Sequence, residues 1–129
     1  MGLRLLRKAR NLKESIIKKD RRDSLLETLP KNCYIAEVGV YKGKLSERIL
    51  SITNPKKIIL IDAWSIDAMR DNSDVQNSFT QNTFDLLYSN VLKKFSKNDN
   101  VEIIRQNSKN ALEMFPNEYF DWIYIDASH

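Results

Sequence analysis

The stretch Tyr34-Ile35-Ala36-Glu37-Val38-Gly39-Val40-Tyr41-Lys42-Gly43 constrains this chain more than any other. An apolar run holding an acid leads into two glycines four residues apart, and Leu45-Ser46-Glu47-Arg48-Ile49-Leu50 then has helical spacing. Strand, tight turn and helix in that order form the opening unit of an α/β sheet that binds a nucleotide or nucleoside. The chain has three glycines and places two of them here: Gly39 can take backbone angles closed to other residues, and Gly43 lets the helix start lie close to a strand or ligand.

The remainder of the chain repeats the alternation. Cys33 to Val38 reads as the first strand, and Lys44 to about Ile52 as the first helix, broken by Asn54-Pro55. Ile58-Ile59-Leu60-Ile61 is a continuous apolar run ending at Asp62, the pattern of a strand buried on both faces of a parallel sheet. Residues 65–83 are polar, with a helix onset expected near Asp74. Phe84, Leu87, Tyr88, Val91, Leu92 and Phe95 then mark an amphipathic helix ending near Lys97. Val101 to Arg105 is a third strand, and Ser108 caps a short helix through Met114, stopped by Pro116. Asp121 to Asp126 is a fourth strand, and its Trp122-Ile123-Tyr124-Ile125 run predicts cover on both faces. Strands alternating with helices imply a parallel sheet with helices on both faces, and 129 residues fit a single domain.

Charge separates the leader from the body. Residues 1–30 carry a balance of +5, and residues 31–129 a balance of −1. The leader, residues 1–30, reads as a basic amphipathic helix or helix pair closed by Pro30. It serves either as a docking or membrane-surface helix or as a packed leading helix with a solvated basic face. The body has no basic stripe interleaved with aromatics, so no nucleic-acid partner is expected. No apolar run approaches the ~20 residues of a transmembrane span. The one cysteine, Cys33, reads as a packed thiol and suits a cytoplasmic location.

Three acids are read at the carboxyl ends of three strands: Glu37, Asp62 and Asp126. Ligands of open α/β sheets lie beyond those ends. An acid ending the second strand is placed to accept hydrogen bonds from ribose hydroxyls, which narrows the ligand to a dinucleotide or S-adenosylmethionine. A dinucleotide turn needs G-x-G-x-x-G to cradle a pyrophosphate, but its middle glycine position is occupied by Tyr41, and Glu37 adds negative charge beside it. That turn favours a ligand carrying an ammonium and a sulfonium. An NAD-type protein is the reading it disfavours.

The stretches AEVGVYKGKLSERIL, IILIDAW, FDLLYSNVLKKF, VEIIRQNSKNAL and FDWIYIDASH, over about residues 33–129, resemble the class I S-adenosylmethionine-dependent methyltransferases. The likeness is strongest to the bacterial group that modifies glycans and small molecules. It implies a Rossmann-like methyltransferase fold with strand order 3-2-1-4 for the strands present. By the same resemblance Glu37, Gly39, Tyr41 and Gly43 line the methionine side of the cofactor, Asp62 holds the ribose, Trp64 flanks the adenine, and Asn107 and Ser108 lie near it. Asp126 and His129 face the substrate, with Asp126 a candidate ligand for a divalent metal such as magnesium. The implied activity is O-methyl transfer to a sugar or small metabolite. Gln106 departs from the glycine common in relatives.

Plainer roles stand beside these. Asp62 and Ser108 can serve as caps, Glu37 as an ion-pair partner, Trp64 as packing and His129 as a mobile terminus. The resemblance also implies a sheet of seven strands, of which four are present. The chain is therefore expected to be a cofactor-binding half, inactive alone or acting as a binding module. Its fourth strand is expected to pair with another copy or a partner.

Overall fold

The computed structural model describes residues 21–69 and 80–126. Residues 21–28 are helical (α1). Beyond them come β1 (Tyr34–Val38), α2 (Lys44–Thr53), β2 (Lys57–Asp62), a 3-10 turn (Ile66–Met69), α3 (Gln81–Lys94), β3 (Val101–Arg105), α4 (Ser108–Glu113) and β4 (Trp122–Ile125). The strands form one parallel sheet in the order β3-β2-β1-β4, the expected architecture and order. The start of the basic leader, the helix onset expected near Asp74, and His129 lie outside the described residues.

The continuous apolar run of β2 makes it an inner strand. Ile58, Ile59, Leu60 and Ile61 are all fully buried, each contributing about 1.5–3 kcal/mol of burial free energy. Alternation along the strands divides the core. On one face Ile35, Ile58 and Leu60 pack with Leu26 of α1, Leu45 and Ile49 of α2, and Phe84 and Val91 of α3. On the other, Ala36, Ile59 and Ile61 meet Ala111 of α4, flanked by Ile104, Phe115 and Phe120. The described end of the leader is tied down further by an ion pair from Asp23 to Arg48 and by the Trp122 indole donating to the Pro30 carbonyl at 3.0 Å. Cys33 donates to the same carbonyl at 3.3 Å, and burial raises its thiol pKa.

β4 departs from expectation. Trp122 and Tyr124 pack toward the first core, but Ile123 is 37% exposed and Ile125 63% exposed. The reason is the length and placement of α4. It has six residues, and its buried Ala111 sits over Ala36, Ile59 and Ile61 rather than over β4.

The helices follow their caps and stripes. α2 buries Leu45, Ser46, Ile49 and Thr53, and ends at Asn54 in a left-handed conformation before Pro55. α3 opens with a reciprocal capping box between Thr80 and Thr83, and buries Phe84 and Val91. Gly43 caps α2 at φ 79° with no side-chain bond, and a Cβ there would meet the Phe95 ring at 3.0 Å. Gly43→Ala is therefore expected to destabilise the chain by about 1–3 kcal/mol, from left-handed strain plus displacement of Phe95. Urea unfolding checks this, and an unchanged midpoint would show that the turn relaxes freely.

Candidate functional site

β1, β2, β3 and β4 all point their carboxyl ends the same way, and hydrogen bonds continue just past the strands. Gly39 N donates to Ile61 O (2.9 Å), Gln106 N to Asp62 O (3.0 Å) and Asp126 N to Val38 O (2.8 Å). The segments leaving the strands are therefore held level, and a cleft of about 350 Å³ opens above them. Its walls include Val38, Gly39, Tyr41, Asp62, Trp64 and Phe84 on the β1–β2 side, with Gln106, Asn107 and Ser108 after β3 and Ile125 and Asp126 at the end of β4.

Asp62 organises this end of the sheet. Its Oδ2 accepts from the backbone N–H groups of Val40 and Tyr41, both at 2.9 Å, and its Oδ1 from that of Trp64, also at 2.9 Å. One carboxylate thus joins the β1–α2 turn to the segment leaving β2. Both contain residues at positive φ, with Gly39 at φ 88°, Tyr41 at φ 57° and Trp64 at φ 40°. Such angles cost a non-glycine residue about 1–2 kcal/mol, and persist where surrounding bonds over-determine them. The Trp64 indole supplies another bond, donating to the Tyr41 carbonyl at 3.0 Å. Trp64 is itself 1% exposed, and its ring lies 5.1 Å from that of Tyr88.

Arg105, at the end of β3, fastens the same segment from the other side. Its guanidinium donates to the Trp64 carbonyl at 2.8 Å, pairs with Asp85 of α3, and lies 4.9 Å from the centre of the Tyr88 ring. Sequence patterns alone did not single out Arg105, although it carries the same signal as Asp62, a charge ending an apolar strand at the ligand-facing edge.

The β3–α4 connection brings a correction. Asn107, not Ser108, is the N-cap, accepting from Asn110 N at 2.8 Å, and the helix ends at Glu113. Asn107 has the extended backbone that a cap requires (φ −62°, ψ 151°), which leaves Ser108 as the first helical residue. Both line the cleft.

Glu37 sits beneath the turn, off the cleft wall. It is 0% exposed, and its Oε1 accepts from the Ser46 hydroxyl in the first turn of α2 at 2.7 Å. Its Oε2 is buried with no hydrogen-bond partner. Burial pushes its carboxyl from about 4.5 up to about 7, opposed by the Ser46 bond and assisted by the negative charges of Asp126 and Asp62.

Of the residues singled out from the sequence, Gly39, Tyr41, Asp62, Trp64, Asn107, Ser108 and Asp126 meet at the cleft. Glu37 lies just below it, Gly43 packs against Phe95, and His129 is outside the described residues. Among the described residues no three His, Cys, Asp or Glu side chains are grouped to hold a metal ion, so they do not by themselves make the metal site the resemblance implies. Nor is any described helix long and apolar enough to cross a membrane.

A family model described as a methyltransferase domain matches residues 36–129. The spermidine synthase of Thermotoga maritima is 19% identical, aligning over 84% of this chain and 31% of its own, with a TM-score of 0.49. M. capricolum TrmK, in complex with S-adenosyl-homocysteine, is 17% identical over 81% of this chain and 39% of its own, with a TM-score of 0.48. The chain thus spans well under half the length of either structure. No curated protein matches.

Proposed function

We propose a function for this chain, which belongs to the methyltransferase-domain family: its cleft binds S-adenosylmethionine for methyl transfer to a hydroxyl of a sugar or other small metabolite. Residues 31–129 supply the cofactor-binding part of the domain, and the segment leading into it is helical over its described residues 21–28.

The observation that carries this reading is where the turn's N–H groups go. A pyrophosphate would need free backbone donors at the glycine turn. Those of Val40 and Tyr41 are both taken by Asp62, and a buried acid with an unpartnered oxygen lies underneath. The turn repels a polyanion and suits a cation. The cleft volume of about 350 Å³ lies within the range of small-ligand sites, ~300–1,000 Å³.

In this reading Val38 and Gly39 flank the methionine portion. Asp62 accepts three bonds from the backbone and keeps one lone-pair direction for a ribose hydroxyl. Trp64, Phe84, Gln106, Asn107 and Ser108 enclose the adenine side. The bound donor supplies an electrophilic methyl carbon on a sulfonium sulfur. The chain's part is chiefly positioning, with a base to accept the hydroxyl proton, and Asp126 is the described carboxylate on the acceptor side.

Isothermal calorimetry tests the assignment. S-adenosylmethionine and its demethylated product should both give binding heats, and NAD none. A preference for NAD, or no binding of either adenosyl ligand, would overturn the reading.

A further inference from the structure

We infer that Glu37 selects ligand charge in this cleft: it ionises when the cationic methyl donor binds and takes up a proton when the uncharged-sulfur product is left, so that the cleft distinguishes the two. The inference rests on the reading of the cleft as an S-adenosylmethionine site and deepens it.

The geometry leaves little alternative for this side chain. Glu37 directly precedes Val38 and Gly39, which line the cleft, yet it is itself fully buried. A carboxylate offers about four acceptor sites. Here one oxygen has a single donor, Ser46 Oγ, and the other has none. A buried anion satisfied so poorly is costly unless a counter-charge is near.

None of the described residues supplies one. The charged groups acting on Glu37 are Asp126 at the end of β4 and Asp62 at the end of β2, both acidic and both at the cleft. Its register partner on β4 is Tyr124, and α2 contributes only the Ser46 hydroxyl. Among the groups described, the missing positive charge is left to the ligand. Because the carboxyl is pushed up to about 7, its charge changes around neutral pH.

The two ligands isolate the effect. Both carry the same ammonium and carboxylate, but only the donor has the permanent sulfonium charge. Donor binding therefore releases a proton from Glu37 to solvent. When the methyl passes to a hydroxyl oxygen, the C–S bond breaks, its electron pair stays on sulfur, and the hydroxyl proton is released. The neutral thioether no longer favours the carboxylate, and Glu37 recovers a proton from solvent.

The test measures affinities of donor and product calorimetrically at about pH 6 and about pH 8, for the full chain and for Glu37→Gln. The donor-to-product affinity ratio of the wild type should rise about three- to tenfold across that interval and stay flat in Glu37→Gln. Titrations in two buffers of different ionisation heat should show more proton release with the donor than with the product. This wild-type measurement decides the matter if Glu37→Gln does not fold. A ratio independent of pH, the same rise in Glu37→Gln, or equal proton release with both ligands overturns the inference while leaving the cofactor assignment standing. Failure of both ligands to bind overturns the assignment, and the inference with it.

Discussion

Asp62→Ala will destabilise the chain by about 3–5 kcal/mol, the largest loss expected from any single substitution at the cleft. The substitution strands three backbone N–H groups, those of Val40, Tyr41 and Trp64, that now end on one carboxylate. A hydrogen bond to a charged group contributes roughly 1.5–3 kcal/mol net, and the three share an acceptor, so their losses do not add in full. The variant also frees Tyr41 and Trp64 to leave their left-handed angles, which opens the turn and the cleft together. Asp62→Asn keeps the shape but turns an NH2 toward one set of donors, and should lose about half as much. Urea denaturation followed by circular dichroism gives both values. A loss below about 1 kcal/mol for Asp62→Ala would mean that water replaces the carboxylate without penalty.

The second large effect is on pH. Glu37 has a folded-state carboxyl near 7 against an ordinary value near 4.5. In that interval the folded chain holds a proton that the unfolded chain has released, so rising pH favours unfolding. The contribution of this group is fully present below about pH 4.5 and is lost by the time the pH has passed about 7. Its size is about 3 kcal/mol. Glu37→Gln removes the titration while its amide oxygen can still accept from Ser46. The stability difference between variant and wild type should therefore move by about 3 kcal/mol in the variant's favour from about pH 4.5 to about pH 7.5. Denaturation curves at four or five pH values would reveal it, and parallel profiles for the two proteins would show that Glu37 is solvated in solution. An acid that weakens the fold at working pH is the kind of feature that a binding site retains.

The sheet was legible because its signals are local. Ile58 to Ile61 could only be an inner strand, and Phe84, Leu87, Tyr88 and Val91 could only be one helical stripe. The strand-end acids were legible as a group because parallel strands bring their carboxyl ends to one side. What each acid bonds to was not. The Asp62 bonds to Val40 and Tyr41 span 22 and 21 residues and depend on how β1 and β2 are levelled against each other. Gly43 was read as letting the helix start lie close to a strand or ligand, but what it lies close to is Phe95, which caps the end of α3. Asn107 and Ser108 are both good caps, and their order was decided by where β3 releases the chain. The exposure of Ile123 and Ile125 reflects the brevity of α4, which no pattern within β4 could reveal.

The bond from the Trp64 indole to the Tyr41 carbonyl also gives the molecule a built-in optical reporter. The chain has two tryptophans, and they stand at opposite ends of the sheet. Trp64 touches the turn that meets a ligand, whereas Trp122, bonded to Pro30, touches the end where the leader enters. Emission from a Trp122→Phe variant would follow the ligand end alone, and emission from Trp64→Phe the leader end alone. Whether the two ends come apart together or one after the other can therefore be watched without attaching any label.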